Sequence, residues 1–197
     1  MKTIKVRIHG IAPLLMNSNR GVNHLDPLVK EAKQITSKGS KKITDDEHAR
    51  LLQIKWLLGI YYDEELGPYI PSANVEGTIR NAAKTIRRGP DTKFGIQVLP
   101  DKIPLIYDGP RKLEDLWADS KHQDFRVGKM KATGSSVSLL RPRFDIWTLE
   151  FILVYDEKVF SDSTIKELLI TGGHKIGLCD YRPKYGRFDV ISIEPVK

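Results

Sequence analysis

The residues that point most directly to chemistry lie in one stretch near the end of the chain, GGHKIGLCDYRPKYGRFDV, residues 172–190. Glycines permit positive φ angles and close approach of the backbone to an anion, and successive N–H groups in such a loop can hold phosphate. Basic side chains add positive charge, and tyrosine rings can stack on bases or sugars. This combination predicts contact with nucleic acid through Lys175, Tyr181, Arg182, Lys184, Tyr185 and Arg187. The alternative is a helix end followed by an ordinary turn, in which the tyrosines pack on the core and the glycines only let the last strand dock.

The same stretch does not match the common sites for small nucleotides. No Gly-Lys-Ser or Gly-Lys-Thr follows the glycines, and they precede a predicted strand instead of opening a helix. Neither a P-loop nor a dinucleotide fingerprint is therefore present. The single cysteine, Cys179, can form neither an internal disulfide nor a CxxC zinc site. We expect no cofactor and no metal.

A second group of basic residues lies on a predicted helix, IPSANVEGTIRNAAKTIRRG. Ser72 is placed to cap its start and Gly89-Pro90 to end it, with an apolar stripe at helical spacing between them. Four basic residues cluster opposite that stripe: Arg80, Lys84, Arg87 and Arg88. They predict a basic ridge that contacts phosphate, and the alternative is an ordinary solvated face.

A third basic segment, FRVGKMKATGSSVSLLRPRF, alternates around two glycines as a protruding β-hairpin does. Its predicted nucleic-acid contacts are Lys129, Lys131 and Arg141.

Two residues are candidates for acid–base chemistry. A metal-independent ribonuclease usually needs a group that titrates near neutral pH, and His174 lies in the glycine-rich stretch. Asp26 follows the first strand in a basic region, where a carboxylate could position a metal-bound water or an attacking 2′-hydroxyl. The alternatives are a surface histidine and an aspartate that starts a helix. We assign no catalytic residue and keep His174 and Asp26 as candidates.

The order of predicted elements indicates an α+β fold. A strand with alternating apolar residues at positions 3–9 is followed by a helix, two strands, a second helix and a last strand, a βαββαβ core of the ferredoxin-like or RRM-like kind. We expect a single domain, residues 1–197, with insertions at 17–69 and 100–143. Within the first insertion, the polar segment 16–42 is expected outside the core, and the helix after it, opened by a capping box at Thr44 and Glu47, is expected to pack over that segment or against the sheet. The second carries the hairpin.

Composition indicates a basic, soluble protein. Of 197 residues, 40% are hydrophobic and 29% are charged, and the formal net charge is +7. No apolar run approaches the roughly 20 residues that a membrane span needs, and the N-terminal MKTIKVRIHG is too charged for a secretory signal. We expect a cytoplasmic protein without membrane contact, and the excess positive charge favours an anionic partner.

Three segments resemble the RAMP superfamily (repeat-associated mysterious proteins), and within it the chain is most similar to the Cas7-like backbone subunits of class 1 CRISPR effector complexes. They are GIAPLLM after the first strand, IPSANVEGTIRNAA at the helix start, and GLCDYRPKYGRFDV before the last strand. Asn74 and Glu76 depart from the family pattern, which prefers a small polar and a basic residue there, whereas Arg80 occupies the family's arginine position.

The resemblance implies a single-stranded nucleic-acid binder that oligomerises along its ligand, with a thumb-like hairpin that reaches the next subunit. Some relatives cleave RNA through an aspartate in the loop after the first strand, which Asp26 resembles loosely. The leading hypothesis is a non-catalytic subunit that binds single-stranded RNA, or single-stranded DNA, inside a CRISPR effector complex or as a free-standing or phage-encoded relative. The rivals are a RAMP-type endoribonuclease and a basic structural phage or host protein that contacts another protein.

Overall fold

A computed structural model describes residues 1–39, 42–129 and 136–196, with the side chain of Lys129 left out. Two of the predicted nucleic-acid contacts, Lys131 and the side chain of Lys129, therefore lie outside the described part of the chain. In chain order, the elements are β1 Lys2–Gly10, β2 Leu14–Leu15, α1 Pro27–Thr36, α2 Asp45–Gly59, β3 Tyr62–Asp63, β4 Gly67–Pro71, α3 Ser72–Thr85, α4 Thr92–Gly95, β5 Ile96–Leu99, β6 Lys102–Pro104, α5 Leu113–Ala118, β7 Gln123–Lys129, β8 Ser136–Phe144, β9 Thr148–Tyr155, α6 Asp162–Thr171 and β10 Phe188–Pro195.

The main sheet has four antiparallel strands in the order β10-β1-β9-β5. Helix α3 lies between β1 and β5 in the chain, and α6 lies between β9 and β10. The four strands, numbered in chain order, therefore lie as 4-1-3-2, which is the arrangement that a βαββαβ chain adopts when each helix crosses back over the sheet. The predicted α+β class is confirmed.

Alternation of side chains explains which face of the sheet is buried. Ile4, Val6 and Ile8 of β1 lie in the core because successive side chains of a strand point to opposite faces. On the other face Lys5 forms an ion pair with Glu150, at 2.8 Å between Nζ and Oε2. Strand β9 has apolar residues on both faces, a pattern typical of a central strand, and it lies between β1 and β5.

Helix α3 differs from its prediction at both ends. No side-chain hydrogen bond caps its start; Ser72 is its first residue, and the Ser72 N–H donates to the carbonyl of Asp101 at 2.8 Å. The helix ends at Thr85, where Arg87 takes a left-handed φ of 61° and the Arg88 N–H donates to the Ala83 carbonyl at 2.8 Å, a Schellman turn. The predicted ridge is therefore shorter, because Arg87 and Arg88 have left the helix.

Glu76 has a structural role in joining α3 to the main sheet. Its Oε1 accepts a hydrogen bond from the Val98 N–H at 3.0 Å. Val98 belongs to β5, an edge strand of the main sheet, where outward N–H groups have no neighbouring strand. The carboxylate thus joins α3 to the sheet and satisfies one of these donors.

The expectation that residues 16–42 lie outside the core is wrong for Met16, which is fully buried in it, and helix α2 contributes to the same core. Its predicted capping box is confirmed, with Thr44 and Glu47 each accepting from the other's backbone N–H. Trp56 is fully buried in the main core, and its indole N–H donates to the His122 carbonyl at 2.8 Å. A large ring with a satisfied N–H contributes strongly to a core, so this helix is recruited into it.

Two smaller sheets complete the fold. The predicted hairpin is confirmed as β7 and β8, which pair from Gln123↔Pro142 to Lys129↔Ser136, and β2 joins them through β8. Strands β3, β4 and β6 form the other sheet. Among the helices of the described ranges, none combines the length and apolar character that crossing a bilayer requires.

The loop that precedes β10, residues 172–187, is here called the terminal loop. Ser161 caps α6, and the chain continues past Gly172 in a π-helical turn that it leaves at Gly177, where φ is 81°. The Leu178 N–H donates to the Gly186 carbonyl at 2.8 Å, and the Gly186 N–H donates to the Pro13 carbonyl at 2.8 Å. These glycines serve close contact within the backbone, so the predicted phosphate-holding N–H groups of Gly177 and Gly186 are already used.

Replacing Gly186 by alanine tests this close contact, with Gly39 as the matched control. Both have a positive φ, which costs roughly 1–2 kcal/mol for alanine. A Cβ at Gly186 would also lie 2.0 Å from the Leu178 carbonyl oxygen, whereas at Gly39 no atom of the described residues lies within 4 Å. We expect Gly186→Ala to lower the free energy of unfolding by about 2 kcal/mol more than Gly39→Ala in urea denaturation. Equal losses would contradict this account of the loop.

Candidate nucleic-acid interface

A polar groove runs between α3 and the terminal loop. It has a part of about 270 Å³ and a more open part of about 680 Å³, which share Asn81, Cys179, Asp180 and Arg182. We call it the asparagine groove; its lining is Asn17, Asn19, Tyr61, Ala73, Asn74, Gly77, Asn81, Lys175, Ile176, Cys179, Asp180, Tyr181, Arg182 and Pro183.

Helical spacing places one wall of the groove. Asn74, Gly77 and Asn81 are three and four residues apart on α3 and therefore share a face. Gly77 has open space where a Cβ would lie, so the wall is recessed between the two amides. On the buried side of the helix, the Thr78 hydroxyl donates to the Gly177 carbonyl at 2.9 Å and holds the terminal loop against α3.

Backbone hydrogen bonds place the opposite wall. Besides the bond from Gly186 to Pro13, the Asp180 N–H donates to the Leu15 carbonyl at 2.9 Å, and the Ile11 N–H donates to the Arg187 carbonyl at 2.9 Å. The loop is thus joined to residues 11–15, directly before Asn17 and Asn19. This connection brings those two asparagines to the groove.

The two loop tyrosines already stack on a cation. The guanidinium carbon of Arg126 lies 4.6 Å from the ring centroid of Tyr181 and 4.4 Å from that of Tyr185. Arg126 Nη2 also donates to Asp124 Oδ2 at 2.9 Å, and this carboxylate raises the pKa of Arg126. The predicted stacking residues therefore join the loop to the β7–β8 hairpin, and Tyr181 lines the groove as well.

Two of the predicted phosphate contacts are engaged inside the protein. Arg141 Nε forms an ion pair with Asp180 Oδ2 at 2.9 Å, and its side chain is only 15% exposed. Arg88 Nε pairs with Asp91 Oδ2 at 2.8 Å, while its Nη2 donates to the Val159 carbonyl at 2.7 Å. Arg141 thus holds the terminal loop through Asp180, and Arg88 joins the end of α3 to the segment before α6.

The remaining basic residues divide by position. Lys175 and Arg182 line the groove, and Lys84 Nζ donates to Asn81 Oδ1 at 3.0 Å, which places it at the rim. Arg80 is half-buried, and its Nε has no hydrogen-bond partner within the described parts of the chain. The others are exposed outside the groove: Arg87, Lys184 and Arg187.

The two acid–base candidates lie outside the groove. His174 Nε2 is 2.7 Å from Asp189 Oδ1, both are about half exposed, and they line a separate groove between α6 and β10. Asp26 caps α1: its Oδ1 accepts from the Leu28 N–H at 2.9 Å and its Oδ2 from Arg20 Nε at 2.6 Å. Burial raises the pKa of Asp26, but these hydrogen bonds outweigh it and hold the pKa below its usual value.

Neither a metal-binding cluster nor an ionised thiol is found in the described part of the groove. Within residues 1–39, 42–129 and 136–196, no three His, Cys, Asp or Glu side chains are grouped to hold a metal ion. Desolvation raises the pKa of Cys179 to about 12, so its thiol stays protonated at neutral pH.

Several groove residues were not singled out from the sequence as a binding site. The spacing of Asn74 and Asn81 on a helix was a usable signal. Asn17, Asn19 and Tyr61 carry no such signal, because only the folded chain brings them to α3.

No family model and no curated protein matches the sequence. Among solved structures, the chain is similar to one in the cryo-EM structure of the Type III-B Cmr-beta bound to cognate target RNA, with a TM-score of 0.53 and 14% sequence identity. The alignment covers 100% of this chain and 61% of that chain, so this protein spans about three fifths of its length. At this identity the similarity concerns the fold.

Proposed function

We propose that the protein binds single-stranded RNA in the asparagine groove, through contacts to the backbone and without cleaving it. One observation carries the proposal: α3 and the terminal loop enclose a single groove whose walls carry amide groups and whose rim carries Lys84, Lys175 and Arg182. Cations attract phosphates, and amides donate to and accept from sugars and base edges.

The open face of the main sheet is a less suitable platform. RRM-type sheets stack bases on aromatic side chains. Here that face carries Lys5, Arg7, Glu150, Ile152 and Val154, and no described Phe, Tyr or Trp. Arg7 also pairs with Glu150 at 3.2 Å, so the charges on this face are partly compensated. The helix and loop side is therefore the favoured surface.

The solved chain of similar fold supports RNA as the ligand. It belongs to a structure that is bound to cognate target RNA. Together with the formal net charge of +7, this favours RNA over single-stranded DNA and over a protein partner. We extend the proposal to assembly: copies of the chain, alone or with CRISPR effector subunits, lie side by side along one strand.

The salt dependence of RNA binding tests the groove. We expect Lys175→Ala and Arg182→Ala each to weaken binding and to reduce the slope of log K against log salt by about 0.7, the value for one phosphate contact on a single strand. Asn81→Ala should weaken binding roughly threefold to tenfold and leave the slope unchanged, because an amide releases no counterion. Fluorescence anisotropy with a labelled oligonucleotide measures both quantities.

Lys166→Ala is the matched control, because Lys166 lies on α6 at the other groove. It should leave affinity and slope unchanged. A flat salt response of the parent protein, or no binding at low salt, would instead favour a basic structural protein that contacts another protein.

Incubation with labelled RNA, with and without magnesium, tests the absence of cleavage. We expect intact RNA, because Asp26 is held as a helix cap and His174 lies in a separate groove. Asp26→Asn keeps a good capping residue, so it and His174→Ala should bind RNA as the parent does. Specific cleavage that either substitution abolishes would establish the endoribonuclease alternative.

The mass of the complex tests assembly. With oligonucleotides of increasing length, light scattering should show a stepwise increase in the number of protein chains bound per strand. One chain per strand at every length would contradict side-by-side binding.

A further inference from the structure

A second cavity, of about 510 Å³, adjoins the asparagine groove across Tyr61, which lines both. Three tyrosines form much of its wall, and an arginine and two glutamates lie beside them. We call it the tyrosine pocket: Tyr61, Tyr62, Tyr69, Arg20, Glu64 and Glu114.

The β3–β4 hairpin holds the tyrosines in place. Tyr62 pairs with Pro68 across the hairpin, and the Tyr69 N–H donates to the Tyr61 carbonyl at 3.1 Å. The rings of Tyr61 and Tyr69 have centroids 6.0 Å apart at an angle of 54°. Aromatic surface is thus presented to the pocket from one hairpin.

The segment 17–20 separates the pocket from the groove. Asn17 and Asn19 line the groove, whereas Ser18 and Arg20 line the pocket, so alternate residues serve the two sides. The Tyr61 hydroxyl donates to the Asn17 carbonyl at 3.3 Å and holds this wall in place. A nucleic-acid strand that lies in the asparagine groove and crosses the segment 17–20 would place its following base beside the tyrosines.

The charges of the pocket disfavour phosphate. Glu64 and Glu114 are exposed carboxylates, and the positive charge of Arg20 is compensated by Asp26, at 2.6 Å between Nε and Oδ2. Aromatic faces attract any base by stacking. A carboxylate accepts from an exocyclic amino group, as on cytosine N4, but is repelled by the carbonyl that uracil presents at the same position.

We propose that the tyrosine pocket takes one nucleobase of the strand held in the asparagine groove and prefers bases with an exocyclic amino group over uracil. This inference rests on the proposed function. It adds a subsite in the first insertion and a base preference to a groove that otherwise contacts backbone.

Oligonucleotides with 2-aminopurine at one position, moved along a cytosine strand, test the subsite. Stacking quenches the fluorescence of this base, so we expect strong quenching at one position in each binding register. Tyr62→Leu should relieve the quenching and weaken binding about tenfold, while Tyr62→Phe, which keeps the ring, should restore both. Circular dichroism of each variant establishes that it is folded.

A second variant tests the base preference. The parent should bind a cytosine strand about tenfold more tightly than a uracil strand of equal length, and the double substitution Glu64→Gln, Glu114→Gln should reduce that ratio to about threefold or less. Both glutamates are exposed, so the fold should be unaffected.

The outcomes separate the two proposals. Salt-dependent RNA binding without quenching at any position, or with Tyr62→Leu equal to the parent, overturns the tyrosine pocket and leaves the proposed function standing. Equal binding of cytosine and uracil strands overturns the base preference. Failure of every single-stranded oligonucleotide to bind overturns the proposed function together with this inference.

Discussion

The attachment of the terminal loop to residues 11–15 is the constraint on which the rest of the candidate site depends. Three backbone hydrogen bonds make it, from Gly186, Asp180 and Ile11. Backbone groups cannot change rotamer as side chains do. The three hydrogen bonds therefore fix the distance between the loop and the segment that follows β1. The walls of the asparagine groove follow from this distance. A glycine is needed at position 186 because a Cβ there would lie 2.0 Å from the Leu178 carbonyl oxygen and push the two ends of the loop apart.

The basic residues around this site form two groups, one engaged inside the protein and one, Lys84, Lys175 and Arg182, at the rim of the groove. The guanidinium groups of Arg88, Arg126 and Arg141 are engaged with carboxylates, carbonyls or rings of the protein itself. The planar guanidinium, with several donors, suits such multiple contacts. The positive charge of the chain therefore overstates the charge available to a ligand. Residue type alone did not distinguish the two groups.

Features determined by near neighbours in the chain were predictable. The capping box at Thr44, the alternation in β1, the β7–β8 hairpin and the central position of β9 all follow from local patterns. The end of α3 could not be predicted in this way, because an arginine with a left-handed φ, as at position 87, is uncommon and the later Gly-Pro pair is the stronger signal. The asparagine groove needs contacts between residues about 100 to 180 positions apart, such as Thr78 with Gly177 and Ile11 with Arg187, and no pattern in the sequence reports those.

The amide lining of the groove bears on discrimination among polyanions. A groove with cations only would accept sulfated polysaccharides and acidic peptides as readily as RNA, because point charges recognise any anion of suitable spacing. Asparagine side chains each offer donors and an acceptor in fixed directions, and these favour a ligand whose hydroxyls and base edges match them. For the proposed RNA ligand, such neutral contacts add a discrimination that does not depend on charge.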